Sequence, residues 1–201
     1  MRRSGRGFTL IEVLVVLAVM SIATGIGATV FHQAMDKWSE IRTSAELQNT
    51  AERIFDAMRQ DLADVASANV SGVALKSSQP IALPGGAQLD MDEVTIPVVA
   101  AASGGGVLDV TYRVFRKEDG SCGLARIVGN TKHAPDDSGF MANGVLGMRC
   151  EFLPNGADAQ WRQNWEEPAL PAAMRVSLLL SAPDRPYQKI ARKAVFPIRV
   201  D

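Results

Sequence analysis

Phe8 to Phe31 reads FTLIEVLVVLAVMSIATGIGATVF, 24 residues in which Glu12 is the single charge. As a helix rising 1.5 Å per residue this run reaches about 36 Å, enough for the roughly 30 Å hydrocarbon core of a bilayer. It is therefore expected to span a membrane. Arg2, Arg3 and Arg6 stand ahead of it, and the next lysine or arginine is Lys37. By the positive-inside rule the short arginine-rich end stays cytoplasmic and everything after the run lies on the other side. A secretory signal peptide fits poorly, because its small-residue cleavage site follows the apolar stretch, whereas Gly7 precedes this one.

A carboxylate inside an apolar helix costs about 2.5–3.5 kcal/mol at the bilayer centre and less near the interface, so Glu12 calls for a partner. No basic side chain is near enough in sequence to serve. Cleavage between Gly7 and Phe8 supplies one, because the new α-amino group of Phe8 is a cation four residues before Glu12. The two can meet within one subunit or between neighbours.

Gly7-Phe8-Thr9-Leu10-Ile11-Glu12-Val13 resembles the cleavage and methylation motif of type IV pilins and type II secretion pseudopilins. The resemblance implies that a prepilin peptidase cuts after Gly7 and methylates Phe8. It also implies that Glu12 guides assembly by pairing with an adjacent subunit's N-terminus. Residues 1–7 are then a leader peptide and 8–31 the transmembrane segment. Residues 32–201 are a periplasmic domain, held at a bacterial inner membrane by a single pass.

Beyond Phe31, apolar residues at Met35, Trp38, Ile41, Ala45, Ala51, Ile54, Phe55, Met58, Leu62 and Val65 recur mostly at three- and four-residue steps. The helix is expected to continue to about Ala66, where Ser67 to Gly72 supplies turn chemistry. That makes nearly 60 residues, or roughly 90 Å. Gly25 and Gly27 are expected to loosen it, each costing about 1 kcal/mol relative to alanine. Most of the Trp38 to Val65 stripe is expected to pack on the chain's own sheet, with some of it left for other helices.

After Gly72 the texture changes to short β-branched and aromatic runs divided by glycine and proline. Strands are expected at Val70–Leu75, Glu93–Val99, Val107–Arg116, Leu124–Val128, Val145–Leu153, Met174–Ser181 and Ile190–Val200. Glu118-Asp119-Gly120-Ser121 reads as a turn into another strand. Ser77–Asp92 and Thr131–Asn143 read as long loops. A helix followed by consecutive strands argues for an α+β fold, pilin-like, with a long N-terminal helix laid on antiparallel β-sheet.

The C-terminal third supports a narrower comparison. A strand from Val145 ends in Phe152-Leu153, Trp161 and Trp165 follow, and Leu170-Pro171 precedes the strand from Met174. This order resembles minor pseudopilin J of type II secretion systems, as does Arg59-Gln60-Asp61-Leu62 near the end of the helix. It implies a subunit of the pseudopilus tip that joins I- and K-type minor pseudopilins and the major pseudopilin, and helps drive folded proteins across the outer membrane. A minor pilin of a type IV pilus is the alternative.

Other residues suggest little chemistry. Cys122 and Cys150, in a region expected to face the periplasm, permit one disulfide or two separate buried thiols. His32 and His133 have no zinc-site spacing around them. Asp136-Asp137 lacks the ligand spacing of a calcium loop, and Ser103-Gly104-Gly105-Gly106 lacks the lysine of a phosphate loop. Trp161 and Trp165 read as aromatics that pack on or cover the edge of a sheet, a partner contact being the sharper alternative. With 21 basic and 22 acidic side chains the chain gives no electrostatic reason to bind nucleic acid. No metal, cofactor or catalytic constellation is expected, so the chain reads as structural and not enzymatic.

Overall fold

The computed structural model describes residues 9–65, 74–76, 81–82, 88–89, 91–100, 106–117, 119–129, 139–156, 159–165, 167 and 169–198. The chain divides into two units, Met1–Thr43 and Ser44–Asp201. A single helix, α1 (Leu10–Ala63), contributes to both. It runs unbroken through Gly25 and Gly27, where loosening was expected.

In the first unit the side chains of α1 are almost all exposed, including Leu10, Val19, Ile26 and Phe31. Its few hydroxyls are satisfied within the helix. Ser21 Oγ donates to the Leu17 carbonyl and Thr24 Oγ1 to the Met20 carbonyl, both at 2.8 Å, and Thr29 Oγ1 donates to the Ile26 carbonyl at 2.7 Å. Hydrocarbon offers no water to these groups, so internal pairing suits the segment to lipid.

In the second unit Leu47, Ala51, Ile54, Phe55, Met58 and Leu62 form the buried stripe of α1. These steps of three and four put the buried residues on one face, and the described residues that follow form ten strands: β1 (Ala74–Lys76), β2 (Ile81–Ala82), β3 (Gln88–Leu89), β4 (Glu93–Ala100), β5 (Gly106–Arg116), β6 (Cys122–Val128), β7 (Phe140–Asn143), β8 (Val145–Leu153), β9 (Ala173–Ser181) and β10 (Lys189–Pro197). The strands make a five-stranded sheet in the order β1-β4-β5-β6-β7, a three-stranded sheet β10-β9-β8, and the pair β2-β3, every ladder antiparallel. Alternate residues Val110, Tyr112 and Val114 on β5, and Met174, Val176, Leu178 and Leu180 on β9, join the helix stripe in one hydrophobic core. This is the α+β arrangement expected, a long helix packed on antiparallel sheets.

Two expectations are corrected. Phe140–Asn143, read as loop, is β7, which pairs with β6 through Ala142 opposite Leu124. Within Ser77–Asp92, also read as loop, β2 and β3 pair, and Met91 bridges to Met148. As expected, most of the Trp38–Val65 stripe packs into the chain's own core, its burial beginning at Leu47, while Met35, Trp38 and Ile41 remain 55%, 70% and 63% exposed. Periodicity shows that a helix has an apolar face, but not whether its own chain covers that face. Residues 66–73 and 199–201, where the helix end, first strand and last strand were expected in part, lie outside the described residues.

Two turns depend on glycine. Between β5 and β6, Gly120 takes φ of 82°, the Asp119 carboxylate accepts from Ser121 N at 2.8 Å, and Lys117 N donates to Ser121 O at 2.8 Å, closing the expected turn. Gly144, φ 78°, stands where the chain leaves one sheet for the other. Its N–H donates to the Cys122 carbonyl on β6 and its carbonyl accepts from Ser181 N on β9, both at 2.8 Å.

Candidate assembly site and its support

Of the residues that carry the N-terminal motif, Thr9 to Val13 are described, Thr9 just before α1 and Leu10 to Val13 in its first turn. Glu12 N bonds to the Thr9 carbonyl at 3.1 Å and lies 3.4 Å from Thr9 Oγ1. Thr9 stands just before the helix and Glu12 is its third residue, the threonine-x-x-glutamate spacing of a capping box. Glu12 is also the one acidic residue of the first turn, where the positive end of the helix dipole favours a carboxylate. The capping role of Thr9 was missed in the sequence, although its spacing to Glu12 is the usual signal. Gly7 and Phe8, the expected cleavage and methylation positions, lie outside the described residues.

The helix is fastened to the five-stranded sheet by a buried polar cluster. Asp61 of α1 is only 5% exposed. Its carboxylate accepts a hydrogen bond from the Tyr112 hydroxyl on β5, and two from Arg126 on β6, Nε at 2.9 Å and Nη2 at 2.7 Å. Register explains the meeting, because Tyr112 is directly opposite Arg126 across the β5–β6 ladder. The bidentate fork satisfies both carboxylate oxygens and fixes the sheet's position along the helix. Sequence reasoning singled out Arg59-Gln60-Asp61-Leu62 without finding this role.

Burial pushes the Tyr112 phenol far above its ordinary range, and the hydrogen bond to the Asp61 carboxylate adds to the shift. A folded-state pKa raised above the unfolded value of about 10 gives stability that is present in full below pH 10 and lost as pH rises beyond it. Thermal melts of the full chain in detergent are therefore expected to fall between pH 9 and 11.5 more steeply than those of Tyr112→Phe. Parallel slopes for the two proteins count against the buried phenol.

A second buried carboxylate, Asp92, ties the approach of β4 to β8. It accepts from Cys150 N at 2.8 Å, while its own N–H donates to the Met148 carbonyl at 2.9 Å. The edge of β8 is also met by the tryptophan-bearing segment, where Phe152 and Arg162 exchange backbone hydrogen bonds of 2.7 and 2.8 Å. Trp165 is buried against Phe152, with ring centroids 6.1 Å apart, and donates Nε1–H to the Ala169 carbonyl at 2.9 Å. Trp161 lies against the guanidinium of Arg175, 4.3 Å from its ring centroid. The two tryptophans thus pack on and cover the three-stranded sheet.

Both cysteines are free, so the disulfide that the sequence permitted is absent. Cys122 opens β6 in the five-stranded sheet, whereas Cys150 is fully buried in β8 of the other. Desolvation raises both thiols, Cys150 more, which disfavours the thiolate needed for exchange. His32 is an exposed residue of α1. His133 and Asp136-Asp137 lie outside the described residues, as do Ser103 to Gly105. Among the described residues no cluster of histidine, cysteine and carboxylate has the form of a metal site.

Residues 2–28 match the family model described as the prokaryotic N-terminal methylation motif. No curated protein matches the chain significantly. The motif, which marks structural subunits processed as prepilins, supports a type IV pilin-like protein. It also suggests handling by a prepilin peptidase and assembly with other pilins. Among the described residues α1 is the one helix long and apolar enough to cross a membrane, which fits a single-pass anchor.

Proposed function

We propose that this chain is a minor pseudopilin of a type II secretion system, most like pseudopilin J, working at the tip of a periplasmic pseudopilus. The observation that carries the reading is the methylation motif joined to an apolar helix whose only charge up to Phe31 is Glu12. The order of β8, Trp161 and Trp165, Leu170-Pro171 and β9 supports the narrower assignment, as does the place of Asp61 in Arg59–Leu62. In this reading residues 1–7 are the cytoplasmic leader, 8–31 cross the inner membrane and 32–201 form the periplasmic domain.

Cleavage after Gly7 leaves Phe8 as a methylated cationic terminus directly before the Thr9 cap. Glu12 then meets the Phe8 terminus of a neighbouring subunit. An ion pair in low dielectric is far stronger than in water, and it offsets the cost of the lone carboxylate. Apolar matches between helices keep the pairing in register, and the exposed Met35, Trp38 and Ile41 continue that contact beyond the bilayer.

The test is co-purification of the full chain, in detergent, with the I-type, K-type and major pseudopilins encoded in its own genome. A complex with the I and K types supports the reading. Binding only to pilus subunits assigns it instead to the minor pilins, and binding to neither set counts heavily against both.

A further inference from the structure

The outer face of the three-stranded sheet follows from register. Arg149 on β8 is opposite Ser177 on β9, and Ser177 is opposite Lys193 on β10. A serine therefore stands between two cations in one row. Neighbouring strands lie about 4.8 Å apart, which sets the two cationic positions roughly 10 Å from each other. In the adjoining row Glu151 is taken up by Arg175, whose Nε and Nη2 donate at 2.7 and 2.5 Å. The row on the other side places small residues, Gly147 and Ala191, on either side of Leu179.

Small side chains beside long ones leave a shallow depression lined by all of these residues. Its lining has three cations to one carboxylate, although the whole chain carries 21 basic and 22 acidic groups. Their fields converge there. Glu151 is held below the usual carboxylate range first by its hydrogen bond from Arg175, with Lys193 and Arg149 adding to the effect. Arg149 and Lys193 are exposed, and Arg175 is held by Glu151 and lies against the Trp161 ring.

We propose that this face docks an acidic, extended segment of a partner protein, with a carboxylate seated over Ser177 between Arg149 and Lys193. The Ser177 hydroxyl supplies a donor, the two cations supply charge, and Leu179 offers apolar contact to the segment's backbone and stems. A polyanion such as nucleic acid fits less well, since it needs a continuous basic track and Glu151 interrupts this one. The inference concerns the folded sheet and stands apart from N-terminal processing and from which secretion or pilus machine the chain serves.

The probe is a dye-labelled peptide of alternating aspartate and serine, titrated into the full chain in neutral detergent micelles at low salt and read by fluorescence anisotropy. Saturable binding is expected, weakening as salt screens the charges. The double variant Arg149→Glu/Lys193→Glu is expected to bind at least tenfold more weakly. Arg149→Gln/Lys193→Gln, which removes charge without reversing it, is expected to lie between that variant and the parent. A control pair with the same change in net charge, Arg116→Glu/Arg185→Glu, is expected to bind like the parent. Absence of saturable binding by the parent, or an equal loss in the control pair, overturns the proposal.

Discussion

Replacing Asp61 by alanine is expected to destabilise the folded domain by about 2–4 kcal/mol, the range for breaking a buried charge pair, placed below its top because Arg126 keeps one-third of its side chain in solvent. The change strips Arg126 of both carboxylate bonds and Tyr112 of its acceptor. Tyr112 is fully buried, so water cannot replace what it loses without opening the core. For a domain of this size the melting temperature is expected to fall by roughly 4–16 °C. Asp61→Asn retains an acceptor and is expected to lose less. Near-UV circular dichroism of the tryptophans, with the full chain in micelles, reads the loss of packing without interference from the apolar part of the helix. A melt within 1 °C of the parent for Asp61→Ala contradicts the account of how the sheet is fixed to α1.

Gly144→Ala is expected to cost about as much, by a different cause. At φ 78° a side chain strains the backbone by about 1–3 kcal/mol wherever it stands. Here the added Cβ would also meet the Ser181 carbonyl oxygen at 2.3 Å, a backbone atom with no rotamer to escape into. Relief means lengthening the Gly144–Ser181 bond or the Gly144–Cys122 bond, the contacts that join the two sheets at this point. The expected loss is about 3 kcal/mol or more, with reduced yield of folded protein. Gly156→Ala is a useful comparison, since its φ of 142° carries backbone strain but its Cβ meets nothing within 4 Å. Equal losses at the two positions would show that the contact with Ser181 adds nothing.

The parts legible in the sequence were those in which local pattern and tertiary environment agree. β4, β5, β8 and β9 have β-branched or apolar residues at alternate positions, and β5, β8 and β9 also have glycine or proline at or near their ends, so their existence and approximate limits are local properties. β7 is four residues in a polar, glycine-rich stretch, and what makes Phe140–Asn143 a strand is the exposed edge of β6 beside it. The unpartnered Trp38 face was beyond reach for a related reason. Three- and four-residue spacing looks the same whether the covering surface belongs to this chain or to another.

Asp61 was partly visible. It follows Ile54 by seven residues and Met58 by three, so it occupies an apolar position of the buried stripe. An aspartate there has to find partners, but the partners lie 51 and 65 residues away and only the strand register brings them together. The disulfide was undecidable because it depended on how closely the tertiary fold brings Cys122 on β6 to Cys150 on β8, and both are free. The N-terminal motif was the most legible part, since its chemistry is contained in seven consecutive residues.

Intact-mass and N-terminal analysis of the chain from cells with and without the prepilin peptidase tests the central claim most directly. The account predicts a mature species beginning with methylated Phe8 that is lost when the peptidase is removed. A chain that keeps residues 1–7 in both cells, or one cut after Phe31, would contradict it.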